Sequence, residues 1–348
     1  MTTPLPATTS HDETPIRIKV IRKKHGKQPP PFLFRNRYLF IWDMACEEYD
    51  WVVVYDEMPN RDEGTFRDGK EPLRCPPEHT ILLTVEPISI KDYGIAYPRQ
   101  FGCVLTSQPL SLFPGCHAVL GEGYYKWFYG KGWQEVVSQS EPPEKTSVLS
   151  VVCSAKQQRH TAHRRRFELI RGLSQRIPEL VWYGHGIQPV AHKYDALDAF
   201  RYHIAIENHL APHHWTEKII DPLLAWTLPF YVGDPELESV LPPESFIRIP
   251  MDDIPEAERI IRSAIQNQEW EKRLPAIRQA RELLLTRYNT WAQIARVIED
   301  GDVGAPRNHG VLRSRHALRR NPFVAIQDGW RHFKRAFGES LIQQEAPA

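Results

Sequence analysis

The chain has 348 residues, enough for two domains of ordinary size, and its content of 41% apolar and 25% charged residues excludes global disorder. Forty-four Lys and Arg stand against 43 Asp and Glu, so the net charge of +1 excludes a whole-protein attraction to polyanions. Five cysteines without CxxC spacing argue against a disulfide framework or a zinc site and favour a reducing cytoplasm. The absence of an apolar run of roughly 20 residues predicts no membrane span, and the polar N-terminus predicts no signal peptide.

The first half of the chain predicts a sheet. Residues 1–15 are polar and rich in Thr and Pro, which predicts disorder. Short β-like runs follow at 16–21, 38–42, 51–55, 80–85 and 101–106. Helix signals between these runs are weak, so the strand order stays open. We expect one domain over residues 16–140.

The second half alternates between strand and helix signals. The polar, Pro-containing stretch 138–147 predicts a domain boundary. Strands are predicted at 148–153, 181–183, 202–207 and 228–232, with helices at 161–177 and from about 215. This alternation is typical of a parallel sheet covered by helices, here over residues 146–300. Helices at 256–270 and 276–300, interrupted at Pro275, are expected to pack outside the sheets.

The C-terminal residues 305–348 form a basic tail, with eight Lys and Arg against three Asp and Glu. Asn321 and Pro322 predict the start of an amphipathic helix. Its apolar stripe consists of Phe323, Ile326, Trp330, Phe333 and Phe337, beside the cations Arg331, Lys334 and Arg335. The stripe either docks on the protein body or rests on an anionic membrane surface, and docking on the body is the favoured interpretation.

The strongest chemical signal lies around residues 200–249. A strand ends in Glu207 and Asn208, and a helix opens with Thr216, Glu217 and Lys218. In an open α/β sheet, such strand ends and helix starts converge on one crevice. The free N–H groups of the helix start and the charge of Lys218 suit a phosphate or diphosphate, and Glu217 suits a sugar hydroxyl. Spacing alone leaves an ordinary helix cap as an equal alternative.

The same segment resembles the signature of glycosyltransferase family 10, the α-1,3/4-fucosyltransferases. The elements that carry the resemblance keep the order and spacing of that family: Phe200-Arg-Tyr-His-Ile-Ala-Ile-Glu-Asn208, Trp215-Thr-Glu-Lys-Ile-Ile-Asp221, Leu228-Pro-Phe-Tyr-Val-Gly233 and Pro242-Pro-Glu-Ser-Phe-Ile-Arg-Ile249. The resemblance implies an α/β protein of GT-B architecture, with two Rossmann-like domains facing a cleft and a helical basic tail. The C-terminal domain would hold GDP-fucose and the N-terminal domain the acceptor.

The resemblance also implies donor-binding residues. Asn208, Glu217 and Lys218 match motif positions, and an Arg in the first helix of the donor domain contacts the diphosphate in the family. We assign that match to Arg164, and Arg165 and Arg166 stay open as alternatives. His214 is expected to line the nucleotide pocket beside Trp215 rather than to bind a metal. A metal-independent mechanism without a cofactor is expected, because neither Asp252-Asp253 nor the pair Asp195 and Asp198 has the spacing of a metal-binding Asp-x-Asp motif.

Catalysis is expected to use two carboxylates. The resemblance implies a general base on the acceptor domain, and Glu86 follows the apolar run 80–85 as that base would. A surface turn acid is the alternative interpretation of Glu86, and Asp56 and Glu57 are rival bases. Glu217 is the candidate near the sugar ring. By contrast, Gly121-Glu-Gly123 lacks the third glycine of a dinucleotide fingerprint and predicts only a turn.

The expected function is inverting transfer of fucose to a hydroxyl of a glycan. Resemblance to soluble bacterial members implies a bacterial surface saccharide such as lipopolysaccharide as acceptor, and a cytoplasmic protein peripheral to the inner membrane. One alternative is a GT-B enzyme that uses another nucleotide sugar. The other is a non-catalytic glycan- or nucleic-acid-binding protein, against which the helical arrangement of the tail aromatics argues.

Overall fold

A computed structural model describes residues 14–23, 29–155, 162–331 and 333 of the chain. Most of the predicted disordered N-terminus lies outside these residues, as do Lys334, Arg335 and Phe337 of the predicted tail helix. In the described part, the molecule is built on two largely parallel sheets, and each predicted strand run corresponds to an observed strand. The run at 51–55 and the run at 228–232 are confirmed to the residue.

The first sheet has seven strands within these ranges, in the order β2-β3-β1-β4-β6-β7-β8, and only the pairing of β2 with β3 is antiparallel. The strands of this half are β1 (Ile16–Arg22), β2 (Phe32–Phe34), β3 (Tyr38–Ile41), β4 (Trp51–Tyr55), β5 (Lys70–Pro72), β6 (Thr80–Leu83), β7 (Cys103–Thr106) and β8 (Ala118–Leu120). Irregular, Pro-containing connections with 3-10 turns link several of these strands. The weak helix signals of the sequence therefore reflect real crossovers without long helices.

The second sheet has five parallel strands in the described residues, in the order β10-β9-β11-β12-β13. Its strands are β9 (Ser147–Val152), β10 (Leu180–Tyr183), β11 (Phe200–Ile206), β12 (Leu228–Val232) and β13 (Ile247–Arg248). The helices up to residue 300 are α1 (Trp133–Ser138), α2 (His163–Ser174), α3 (Glu217–Leu224), α4 (Ile254–Gln266), α5 (Glu269–Thr286) and α6 (Thr290–Asp300). A buried apolar core, with Leu149, Ile204 and Phe230 in its strands, joins the sheet to α2 through α5.

Two helix predictions differ from the structure. Helix α5 continues through Pro275, which the sequence predicted as an interruption. A proline inside a helix costs about 3 kcal/mol, and burial of Ile277, Ala280 and Leu284 on the same helix outweighs that cost. Helix α6 packs its buried face against the first sheet, whereas the predicted donor domain ran to residue 300. The apolar side chains of α6 pack against strands from the first half of the chain rather than against the second sheet.

The basic tail returns to the first half of the molecule. Strand β14 (Val311–Arg313) pairs with β5, helix α7 (Arg315–Arg319) follows, and residues 322–331 are helical. Ion pairs hold this last helix: Asp328 pairs with Arg319 of α7 at 2.9 Å, and Arg331 pairs with Asp92 of the first half at 2.8 Å.

The apolar stripe of the last helix faces outward. Phe323 is 81% exposed and Trp330 is 60% exposed, and Ile326 and Phe333 are also exposed. Docking of the stripe on the body, the favoured interpretation of the sequence, is therefore wrong for these four side chains. The ion pairs of the opposite face hold the helix instead.

No helix among the described residues is both long and apolar enough to cross a membrane.

The carboxyl ends of the two sheets face each other across an interdomain cleft. The loop after β6 meets the loop after β11, where the Ser89 hydroxyl lies 3.2 Å from Nδ1 of His209. Two parallel α/β sheets with their carboxyl edges opposed confirm the predicted GT-B architecture.

Candidate active site

The second sheet places a polar cluster at the start of α3. Thr216 has extended backbone dihedrals and caps the helix, its hydroxyl accepting from the N–H of Lys218. The carboxylate of Glu207, fully buried at the end of β11, accepts hydrogen bonds from the N–H and the hydroxyl of Thr216 at 2.8 and 2.7 Å. Glu207 therefore fixes the helix start from below. No local sequence pattern indicated this role for Glu207.

Lys218 lies between two carboxylates. Its Nζ is 3.0 Å from Glu217 Oε1 and 3.5 Å from Glu207 Oε2. Burial would raise the pKa of Glu217, but the charges of Lys218 and Lys193 outweigh burial and lower that pKa to about 2. Burial would lower the pKa of Lys218, but Glu207 and Glu217 raise it. Lys218 stays a cation and Glu217 an anion at neutral pH.

The three consecutive arginines of α2 point in different directions. Arg164 is half exposed and pairs with Glu168 on its own helix, and Arg165 pairs with Asp252. Arg166 is only 8% exposed, and its guanidinium donates to the side-chain oxygen of Asn208. The structure places Arg164 on the surface of the helix, and it places Arg166, the alternative that the sequence left open, beside Asn208 in the polar cluster.

The helical spacing of α2 carried a signal for this arrangement. Arg166 lies three, four and seven residues before Leu169, Ile170 and Leu173, which are all buried. It therefore shares the buried face of the helix, whereas Arg164 does not. Its charge also acts on the pKa of Lys218, which places the two cations within electrostatic range. Arg166 Nε is buried and has no hydrogen-bond partner within the described residues.

His214 lies near this cluster, buried in the interdomain contact. Its Nδ1 is 2.8 Å from the hydroxyl of Tyr125, and it lines a cavity of about 290 Å³ between the two halves. Burial and the neighbouring His209 lower the pKa of His214 to about 3, so the ring is neutral. A nucleotide would therefore meet an imidazole already engaged by Tyr125.

Glu86 lies on the opposite side of the cleft, three residues after β6. Its backbone is held by Gln108, whose Nε2 donates to the Glu86 carbonyl at 2.7 Å. Burial and the charge of Asp56 raise the pKa of its carboxyl, while Lys91 and Lys218 lower it. The influence of Lys218 places Glu86 within electrostatic range of the cluster on the second sheet. Among the described residues, no hydrogen bond to its carboxylate is found.

The rival carboxylates have partners. Asp56, at φ +70°, accepts from Lys91 at 2.7 Å and from the Tyr93 hydroxyl at 2.6 Å. Burial would raise the pKa of Glu57, but hydrogen bonds from Lys23 and Arg315 and the charge of Lys91 lower it to about 2. Both groups are engaged in ion pairs. Among the described residues, Glu86 is the one of these three carboxylates without an ion pair or hydrogen bond.

Glu122, which the sequence predicted only as part of a turn, joins the two halves beside this site. Its carboxylate accepts from Trp215 Nε1 at 2.6 Å and lies 2.6 Å from Nδ1 of His213. The predicted turn is present, with Gly123 at φ +60°, where a Cβ would come within 2.3 Å of the Trp215 ring. The glycines thus let Glu122 approach the loop that precedes α3, a role that no short-range pattern indicates.

Comparisons with known proteins bear on this arrangement. Residues 142–269 match the family model described as glycosyltransferase family 10 (fucosyltransferase) C-term. Among solved structures, the chain is similar to a crystal structure of alpha1,3-fucosyltransferase, at 16% identity over 78% of this chain and 84% of that chain, with a TM-score of 0.47. It is also similar to sucrose-phosphate synthase from Thermosynechococcus elongatus, at 11% identity over 82% and 88%, with a TM-score of 0.42. A search of curated protein sequences finds no match.

The segment matched by the family model contains the polar cluster of the second sheet. Arg166, Glu207, Asn208, Glu217 and Lys218 all fall within residues 142–269. Residues 142–269 thus have the sequence pattern of the C-terminal domain of glycosyltransferase family 10, the fucosyltransferase family.

Proposed function

We propose that the protein transfers fucose from GDP-fucose to a hydroxyl of a glycan acceptor, with inversion at the sugar carbon and without a metal at the diphosphate. The observation that carries the proposal is the placement of Lys218 and Arg166 beside the start of α3, across the cleft from Glu86. The family match supports the donor assignment, since the matched model is that of the fucosyltransferases.

The diphosphate would bind at the start of α3. The amino end of the helix dipole lies there, and Lys218 and Arg166 add two full positive charges beside it. Together they would stabilise the negative charge that develops on the departing GDP. Asn208 holds the guanidinium of Arg166 in place. Glu217, anionic beside Lys218, would accept a hydrogen bond from a sugar hydroxyl and lie near the positive charge of the ring.

The reaction would be a single displacement. The acceptor oxygen forms a bond to the anomeric carbon while the bond from that carbon to the phosphate oxygen breaks, and its electron pair leaves with GDP. The proton of the acceptor hydroxyl passes to the carboxylate of Glu86. Attack from the side opposite the leaving group inverts the configuration. The raised pKa of Glu86 makes this carboxylate a better proton acceptor than a surface glutamate.

The acceptor would enter from the side of the first sheet. The cavity of about 290 Å³ lies between Pro87 and Ile88, next to Glu86, and the loop at 209–214. Ser107 and Gln108 also line it and offer hydrogen-bonding groups to a saccharide. We assign a bacterial surface saccharide such as lipopolysaccharide to this place, on the expectation drawn from the family resemblance.

The outward apolar stripe of the last helix supports a further part of the proposal. Exposed aromatic rings in a row, next to a basic tail, suit insertion into the interface of an anionic membrane. The protein would then work in the cytoplasm, peripheral to the inner membrane.

A nucleotide panel with two variants tests the proposed function. Thermal unfolding is measured with GDP, UDP and CMP, and transfer is measured from GDP-fucose. We expect stabilisation by GDP, loss of that stabilisation in Lys218→Ala, and GDP binding without transfer in Glu86→Gln. Asp56→Asn is the matched control, because Asp56 is a neighbouring carboxylate already engaged by Lys91.

Three outcomes would contradict the proposal. Preference for UDP would exclude fucose and favour the alternative of another nucleotide sugar. Full transfer by Glu86→Gln would exclude Glu86 as the base. Nucleotide binding without any turnover of GDP-fucose across a range of glycan acceptors would favour a non-catalytic glycan-binding protein.

A further inference from the structure

A second cationic pocket lies on the first half of the molecule, away from the interdomain cleft. It has a volume of about 440 Å³ and is lined by Arg99, Arg307, His309 and Arg313, together with parts of the last helix. Arg99 precedes β7, at the amino edge of the sheet, whereas Glu86 follows the carboxyl end of β6. The pocket therefore lies at the edge of the sheet opposite to the proposed reaction.

The charge of this pocket has one sign. Within the described part of the chain, no Asp or Glu lines it. The side chains of Arg307 and Arg313 are exposed and make no hydrogen bond or ion pair with another described residue. Arg99 uses its Nε on the Pro114 carbonyl at 2.9 Å, which leaves its terminal nitrogens for another acceptor. Three guanidinium groups around one hollow suit a phosphate, to which arginine donates in pairs.

Buried amides fix the floor of the pocket. Gln100, 3% exposed, donates to the Arg313 carbonyl at 2.9 Å and accepts from the Arg313 N–H at 2.8 Å. Asn308, 5% exposed, donates to the carbonyls of Pro77 and Gln100, each at 2.9 Å. These bonds set the backbone of Arg307 and Arg313 before any ligand arrives. Such preorganisation reduces the entropy lost on binding.

The pocket is continuous with the last helix. Leu318 and Gln327 line it, and Gln327 lies one helical turn from both Phe323 and Trp330 of the exposed stripe. A layered surface into which the aromatic side chains insert would therefore bring its polar outer groups next to the arginines of the pocket.

We propose that this pocket binds the phosphate of an anionic phospholipid headgroup while the stripe enters the acyl region. This inference rests on the membrane contact proposed above and is independent of the donor nucleotide.

Vesicle binding by the full chain tests the proposal. Cosedimentation compares vesicles of phosphatidylcholine with vesicles that also contain phosphatidylglycerol. The pocket variant is Arg307→Glu with Arg313→Glu. The control is Arg171→Glu with Arg259→Glu, which makes the same change of net charge on exposed helix positions of the second half. Thermal unfolding with and without GDP checks that both variants fold and keep the donor site.

We expect the pocket variant to lose most of its affinity for phosphatidylglycerol vesicles. A basic side chain near an anionic surface contributes about fivefold in affinity, so removal of two predicts a loss of about 25-fold, and charge reversal predicts more. The control is expected to lose less than about threefold, because its positions lie outside the pocket. An equal loss in both variants would overturn the pocket as a site.

Two further arms separate the sources of failure. Trp330→Ser is expected to weaken binding to both vesicle types, and unchanged binding would overturn insertion of the stripe. Soluble glycerol 3-phosphate is expected to leave the thermal unfolding of the wild-type chain unchanged at low concentration. The wild-type chain could instead be stabilised by glycerol 3-phosphate, lose that stabilisation in the pocket variant, and show no preference for phosphatidylglycerol vesicles. That result would overturn the lipid as the ligand and assign the pocket to a soluble phosphate.

Discussion

Replacement of Arg166 by alanine should weaken GDP binding far more than replacement of Arg164, two residues before it on the same helix. Arg166 is 8% exposed and donates to Asn208, and its Nε has no partner within the described residues. A hydrogen bond from a buried cation to a phosphate contributes about 1.5–3 kcal/mol, which corresponds to a loss of about 10- to 150-fold in affinity. We expect the Kd for GDP to rise within that range.

Arg164 is the matched control. Its side chain is 52% exposed, and its partner Glu168 lies one turn along the same helix. Exposed pairs of this kind contribute about 0.3–0.5 kcal/mol to helix stability and should leave the affinity for GDP within about twofold. Arg166→Lys retains the charge but loses the forked geometry, so its Kd should fall between those of the alanine variant and the wild type.

Isothermal titration calorimetry with GDP gives the Kd of each variant, and steady-state transfer from GDP-fucose gives kcat/KM. Because Arg166 is buried, its replacement could also destabilise the fold. Thermal unfolding of each variant without GDP therefore distinguishes loss of the contact with GDP from loss of the fold. If Arg164→Ala lost affinity for GDP while Arg166→Ala kept it, the arrangement of α2 around the donor would be wrong.

Two further predictions concern pH. Burial raises the pKa of Glu86, so kcat should fall as the pH drops through a value above the pKa of a surface glutamate. Because Lys91 lowers the pKa of Glu86, Lys91→Met should shift this acidic limb of the kcat profile to higher pH. An unshifted limb would contradict the role of Glu86. Glu57, whose pKa is lowered from 4.5 to about 2, stabilises the fold above pH 4.5 and loses that effect as pH falls toward 2. In urea titrations, Glu57→Gln should therefore lower the free energy of unfolding by about 1–3 kcal/mol at pH 7 and by less at pH 3. An equal loss of free energy at the two pH values would contradict the stabilisation by ion pairs.

The sequence determined the local elements of the fold because local patterns encode them. Apolar runs with turn signals at both ends placed β4 and β12 to the residue. Thr216 predicted the start of α3, because a side-chain hydroxyl before the first turn accepts a hydrogen bond from a backbone N–H of that turn. Strand ends and helix starts of a parallel sheet meet at one edge, so the proximity of Asn208 and Lys218 also followed from the chain order.

The groups that meet across long distances in the chain could not be predicted from local patterns. Glu86 and Lys218 come within electrostatic range because two separate sheets turn their carboxyl edges toward each other, and no pattern within either segment records that packing. The last helix was predicted to bury its apolar stripe, but the ion pair of Arg331 with Asp92 holds its polar face to the body. Helical periodicity defines the two faces of such a helix, and the partners available in the folded molecule decide which face is covered.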